Sequence, residues 1–193
     1  TPATIPTATR DAMYMGWCPF ISIGIDVGQA TLPRIVRDDY NRESLGARYK
    51  VFGSVGISGG GFRHTGPVLS SGTGAALYTQ PLVYDTTEVS FDVTSTDDNI
   101  VGAGMSCTSS LGNGVWLTVS NGTVAIQTGA YNGRTTRDSR ASLGVGRYIL
   151  VSSKATVDGP RTFRAYKDDV DTEPILTFAD TGGVVPQGVG NRW

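Results

Sequence analysis

The sequence predicts an all-β protein, an antiparallel β-sandwich with an extended N-terminal arm, and three observations predict it. The first is the stretch Val115–Thr128, where Asn121-Gly122 separates two alternating runs. This dipeptide suits a two-residue type I′ turn, whose central residues both need positive φ. A turn there sets Ser120 opposite Thr123, Val119 opposite Val124, Leu117 opposite Ile126 and Trp116 opposite Gln127. The apolar pairs then share one face, and Trp116, Thr118, Ala125 and Gln127 share the other. The second observation is the recurrence of short alternating runs at the spacing of about 8–12 residues typical of sandwiches and barrels. The third is that no segment holds a 3.6-residue apolar period over ten or more residues. A sandwich is favoured over a barrel because several strands carry one polar and one apolar face.

The elements follow in order. Residues 1–36 are read as an arm or docking segment, and residues 37–193 as the sandwich domain. Pro2 and Pro6 keep the first ten residues extended. Met13, Tyr14, Met15, Trp17 and Phe20 form a dense apolar cluster that either packs on the main domain or docks on a partner chain. Ile21–Val27 alternates strictly and reads as a strand, broken from Gly28 to Pro33. Asp39, Asn41 and Ser44 suit a compact turn. Leu45 and Tyr49 are spaced to share a helical turn, with Gly46 at a bend.

Tyr49–Phe52 precedes the glycine-rich stretch Gly53–Gly61, which is read as turns or bulges. It lacks the Lys-Ser/Thr and the helix of a phosphate loop. Ala75–Thr79 and Thr87–Thr94 are strands, the latter with Val89, Phe91 and Val93 inward. Ile100–Cys107 is small and mostly apolar, as in a strand buried on both sides. Gly129–Gly146 reads as a long polar loop. Arg147–Ser153, Arg161–Lys167 and Ile175–Ala179 are further strands, with turns at Asp158-Gly159 and Asp180–Gly183.

Composition narrows the function. A net charge of −1 with only 17% charged residues leaves no basic surplus for bulk nucleic acid. No apolar run approaches the ~18 residues of a membrane span. The first residues lack the charged-then-apolar build of a signal peptide. Thr1 fits removal of an initiator Met and equally an excised fragment. Cys18 and Cys107 belong to no metal or redox spacing and read as buried free thiols rather than a disulfide. His64 is the single histidine, so multi-histidine metal sites are excluded. No nucleophile elbow accompanies it, and it reads as a surface or turn residue.

Two acidic clusters, Asp97-Asp98-Asn99 and Asp168-Asp169 with Asp171, are weak calcium candidates. Their spacing matches no calcium loop, and solvated turns are the plainer reading; no cofactor is otherwise expected. A glycan site is the sharper expectation. Tyr131, Asn132, Arg134 and Arg137 lie in the long polar stretch, and Trp116 lies on the second hairpin face. Aromatic faces with amide and guanidinium donors suit pyranose rings. The competing reading of Trp116 is core against a second sheet. Asn121-Gly-Thr123 matches a glycosylation sequon, which its turn role already explains.

Asp39-Tyr-Asn-Arg42, then Leu45-Gly46, then Tyr49 resembles a motif of the concanavalin-like (laminin-G-like) sandwich domain in minor tail proteins of phages that infect actinobacteria. That family reads Asp-Phe-Asn-Arg, Leu-Gly and Trp, so Tyr40 and Tyr49 are mild departures in packing positions. The blocks Ala76–Tyr78, Val89–Phe91, Asn121-Gly122, Tyr148–Val151, Phe163–Tyr166 and Leu176–Phe178 with Asp180 follow in the family's order, from about Arg37 to Trp193. The resemblance implies a concanavalin-like jelly roll and a non-enzymatic virion component of the phage tail. It implies host-surface attachment or tail assembly, in a homo-oligomer contacting other virion tail proteins and host cell-wall glycan. The motif is structural and marks no catalytic residue. A free-standing glycan-binding lectin domain is the alternative, and a glycan hydrolase the third class.

Overall fold

A computed structural model describes residues 42–58, 61–64, 74–79, 87–94, 100–155 and 159–186. The chain divides into two units, Thr1–Asp39 and Tyr40–Trp193, and every described residue belongs to the second. The expected arm, the Met13–Phe20 cluster, the Ile21–Val27 strand and Cys18 lie outside the described residues, as do Asp97, Asp98 and Asn99.

Among the described residues there are twelve strands and no helix. They are β1 (Tyr49–Phe52), β2 (Val55–Ser58), β3 (Gly61–His64), β4 (Ala75–Tyr78), β5 (Thr87–Val93) and β6 (Val101–Met105), followed by β7 (Val115–Ser120), β8 (Thr123–Ala130), β9 (Gly133–Arg140), β10 (Gly146–Lys154), β11 (Arg161–Lys167) and β12 (Leu176–Ala179). One four-stranded sheet runs β6-β7-β8-β9 and another β12-β11-β10-β5; β1-β4 and β2-β3 form two-stranded sheets. All pairs are antiparallel.

The β7–β8 hairpin has the expected register, including Val119 opposite Val124 and Leu117 opposite Ile126. Asn121 and Gly122 carry φ of 46° and 70°, the positive values a type I′ turn demands. Leu117, Val119, Val124 and Ile126 are buried in one core with Tyr148 and Leu150 of β10, Phe163 and Ala165 of β11, and Leu176 of β12. The two four-stranded sheets therefore share a single apolar interior, the arrangement of a β-sandwich. Their margins also touch. Asp138 of β9 accepts the Thr177 N–H of β12 at 2.9 Å, and the Arg137 guanidinium lies 5.7 Å from the Phe178 ring centroid.

On the opposite face of β7–β8, Thr118 donates to Gln127 Oε1 at 3.2 Å, and Gln127 Nε2 donates to Thr136 Oγ1 at 3.1 Å. This polar row ties β7, β8 and β9 side by side. Glycine lets β6 lie close beside β7 in the same sheet. A Cβ at Gly102 would lie 2.2 Å from Leu117 O, and one at Gly104 would lie 2.5 Å from the Trp116 ring.

Four expectations are corrected. The stretch Gly129–Gly146 is not one long loop: it holds the eight-residue strand β9. Its alternation is between polar residues, because the strand lies at the margin of its sheet and needs no apolar face. The glycine-rich stretch Gly53–Gly61 holds β2, paired with β3 rather than left as turns. Leu45 and Tyr49 do not share a helical turn. Gly46 takes φ of 66°, Tyr49 N–H donates to Gly46 O at 3.3 Å, and Tyr49 begins β1. Arg42 holds this corner, donating to Ser44 O at 2.8 Å with its guanidinium over the Tyr49 ring. Finally, Ile100–Cys107 is buried only toward its end. Ile100 and Val101 are 55% and 37% exposed, whereas Met105 and Cys107 are covered.

Two substitutions separate steric from torsional control. Gly102→Ala drives a methyl into the Leu117 carbonyl and is expected to cost about 1–3 kcal/mol. Gly122→Ala meets no atom within 4 Å, and its cost of about 1–2 kcal/mol comes from the positive φ alone. Urea midpoints of the two variants against the parent measure both. Leu117→Ala, which opens a cavity at a fully buried position, is expected to lose about 2–5 kcal/mol by the same assay.

Candidate functional site

A second apolar cluster lies on the far face of β7. It consists of Trp116, Leu77, Cys107 and Leu111, with Phe52, Ala75 and Tyr131 packed against it. The Trp116 indole lies against Gly104, which offers no Cβ to lift it off the sheet. Its Nε1–H donates to Gly129 O at 2.9 Å. Trp116 is 9% exposed. It is therefore a buried base for the neighbouring surface, and the core reading of this residue is the one the geometry follows.

That surface is the turn between β8 and β9. Ala130 pairs with Gly133, leaving Tyr131 and Asn132 as the connecting residues. The turn is fixed from both sides. Tyr131 N–H donates to Leu111 O at 3.1 Å, and Arg134 Nη1 donates to Tyr131 O at 2.5 Å. Leu111 itself sits in a tight loop closed by Thr108, whose N–H donates to Asn113 O at 2.8 Å and whose O accepts the Leu111 N–H at 2.9 Å. The Tyr131 ring meets Phe52 of β1 with centroids 5.9 Å apart, tilted by 50°. The Lys50 ammonium lies 5.1 Å from the Phe52 centroid, a cation–π distance. Asn132 and Lys50 are exposed, and Tyr131, Phe52 and Arg134 are half-buried.

The structure thus brings together Tyr131, Asn132 and Arg134 and sets Trp116 beneath them. It directs Arg137 elsewhere. A register shift falls between Ile126 and Gln127: Ile126 faces Asp138, Gln127 faces Thr136, and Arg137 is the extra residue. Its Nε donates to Thr128 Oγ1 at 2.7 Å on the side toward Phe178. Lys50 and Phe52 are the residues that sequence reasoning missed. Their alternation in β1 shows a shared face, but nothing local shows that β1 lies beside a turn about eighty residues later.

Burial lowers the pKa of Arg134, because the charged guanidinium loses part of its hydration. Burial also pushes the Cys107 thiol up to about 12, against a smaller opposing pull from a main-chain hydrogen bond with Val115. Cys107 is a free, buried thiol, as expected. Tyr148, which donates its hydroxyl to Gly144 O at 2.5 Å, is raised by burial and by the nearby Asp168 charge.

The remaining candidates are occupied structurally. Asp168, at φ of 67°, accepts the Arg147 N–H at 3.0 Å, and Asp169 accepts the Asp171 N–H at 2.9 Å. Among the described residues no group of three or more His, Cys, Asp or Glu is placed to hold a metal ion. His64 pairs through its backbone with Val55 in the β2–β3 hairpin. A cleft at the start of β11 is lined by Lys154, Pro160, Arg161, Asp180 and Thr181. Asp180 there accepts the N–H groups of Val184 and Val185 at 2.8 and 3.0 Å. Among the described residues no helix is long and apolar enough to cross a membrane. Comparison of the chain with protein-family models, with curated proteins and with solved structures finds no match.

The Cys107 thiol gives a pH prediction. Its folded pKa, about 12, lies above the ordinary 9.0. The fold therefore keeps the proton where the unfolded chain releases it. This contribution is complete below about pH 9 and is lost as pH rises toward 12. Urea midpoints are expected to fall across that window, with Tyr148 adding to the fall above its ordinary value of 10.0. Cys107→Ala is expected to make the decline shallower, and an unchanged slope contradicts the assignment.

Proposed function

We propose that this chain is a structural component of a phage tail, whose β-sandwich presents the β8–β9 turn to glycan on the host surface. Within this reading the sandwich is a concanavalin-like jelly roll and the protein resides in the virion. The tail assignment rests on the sequence resemblance. Its supporting feature is that the resembling blocks fall in order on β4, β5, the β7–β8 turn, β10, β11 and β12. The attachment role rests on one observation, the constellation around Tyr131. A half-buried aromatic ring and a guanidinium, with an exposed amide between them, sit on a turn whose Tyr131 backbone is hydrogen-bonded on both sides. Such a surface stacks on a sugar ring and bonds its hydroxyls without first being ordered.

Assembly with other tail proteins, and a homo-oligomeric state, belong to the same proposal, with the Met13–Phe20 segment as the docking element. The alternative, a free-standing lectin domain, draws on the same Tyr131 constellation and differs only in its tail context. Hydrolysis is the weakest class. It needs two carboxylates facing one groove, and Asp138, Asp168, Asp169 and Asp180 each accept main-chain N–H groups instead.

Two experiments test this. Tyr131→Ala and Asn132→Ala are each expected to weaken binding to actinobacterial cell-wall polysaccharide about three- to tenfold, the loss of roughly one stacked ring or one good hydrogen bond. Isothermal titration reads the effect, and a parent protein that binds no such polysaccharide contradicts the attachment role. Deletion of residues 1–20 is expected to abolish incorporation into particles. Full incorporation of the truncated chain contradicts the docking element and leaves the glycan site as a separate question.

A further inference from the structure

Among the described residues, the charged side chains placed beside the Phe52–Tyr131 pair are cations. Lys50 and Arg134 flank the Phe52–Tyr131 ring pair, Lys50 over Phe52 and Arg134 bonded to Tyr131 O. Neither meets a carboxylate among the described residues. Four of the described acids are engaged by the main chain elsewhere. Asp138 accepts the Ser139 and Thr177 N–H groups, Asp168 that of Arg147, Asp169 that of Asp171, and Asp180 those of Val184 and Val185. The side chains there offer two cationic donors, with the Asn132 amide and the Tyr131 hydroxyl each able to donate and accept.

Building on the glycan reading above, we propose that the ligand is an anionic glycan, its carboxylate or phosphate held by Lys50 and Arg134 while a sugar ring lies on the Phe52–Tyr131 pair. A neutral pyranose is recognised by donors and acceptors in balance, because each hydroxyl does both. Here the charged groups, Lys50 and Arg134, are both donors with no acceptor capacity. Arg134 is half-buried, and burial disfavours its charged form; an anion placed against it restores the favourable field that water no longer supplies. The guanidinium bonds Tyr131 O through Nη1, and a guanidinium has further N–H groups with which to make a charge-assisted bond. The partial burial of Arg134 raises the worth of that bond. A long-range polyanion attraction is a different matter: the whole chain carries a charge of −1, so the preference is local.

The test titrates the full-length chain with three polymers: polygalacturonate as the carboxylate probe, a poly(glycerol phosphate) wall polymer as the phosphate probe, and neutral galactan. Duplex DNA serves as a plain polyanion. At least one anionic polymer is expected to bind, weakening as salt rises, with galactan and DNA at least about tenfold weaker, the worth of one charge-assisted bond. Which of the two binds tells carboxylate from phosphate. Lys50→Gln and Arg134→Gln are each expected to reduce that binding about fivefold or more, while Arg134→Lys retains part of it. Lys50 is exposed, so its variant keeps the fold even if loss of Arg134 loosens the turn. Equal binding of galactan, unaffected by Lys50→Gln, overturns the anionic preference and leaves the glycan reading standing. Absence of binding to all three polysaccharides overturns both. DNA binding as tight as the polysaccharides, or anionic binding indifferent to both Gln variants, overturns the proposal as well.

Discussion

The structure depends on a hairpin that is buried on both of its faces. β7 and β8 meet at Asn121-Gly122, whose positive φ values fix the pairing to the residue. With a side-chain period of two, a one-residue slip would turn Leu117, Val119, Val124 and Ile126 away from the other sheet. It would also lift Trp116 from Gly104 and Gly129. Neither face tolerates the slip, so each enforces the register the other requires. The inner face joins the two four-stranded sheets through one core. The outer face joins β1 and β4 to them through Trp116, Leu77, Leu111 and Phe52.

The candidate surface at the β8–β9 turn follows from the outer face. Trp116 is too deeply covered to stack on a ligand, yet it determines where the Tyr131 ring can lie. Gly129 accepts its indole N–H two residues before Tyr131. Leu111, in the same cluster, accepts the Tyr131 N–H through its carbonyl. The turn is thereby rigid at the backbone while its side chains stay accessible. This division of labour, an apolar base below and polar donors above, is how a surface patch gains pre-organisation without a deep pocket.

Much of this was legible in the sequence, and the divisions are physical. The β7–β8 pairing was readable because turn chemistry and alternation are both local. β5, β10, β11 and β12 were readable for the same reason, each having one apolar face on the core. β9 was missed because Gly133–Arg140 has no apolar face; its strand character comes from pairing with β8 and from the Thr118–Gln127–Thr136 row, which sequence does not display. The exposure of Ile100 and Val101 was missed because a run of small apolar residues reads alike in a central and a marginal strand. At the candidate site, Tyr131, Asn132 and Arg134 are neighbours in sequence, and the β8–β9 turn keeps them together. Arg137 lies apart from them, on Thr128 and beside Phe178, and a β-bulge that redirects one side chain leaves no mark in composition. Lys50 and Phe52 arrive by tertiary contact alone.

The central claim is that the β8–β9 turn, with β1 beside it, is the face that meets ligand while the hairpin beneath it stays closed. Amide chemical-shift mapping of the isotope-labelled protein during titration with cell-wall polysaccharide fragments tests it most directly. The account predicts shifts confined to Lys50, Phe52, Tyr131, Asn132, Arg134 and their immediate neighbours, with Leu117, Val119, Val124 and Ile126 unmoved. Shifts concentrated at the cleft of Lys154, Arg161 and Asp180, or spread through β7 and β8, would contradict it.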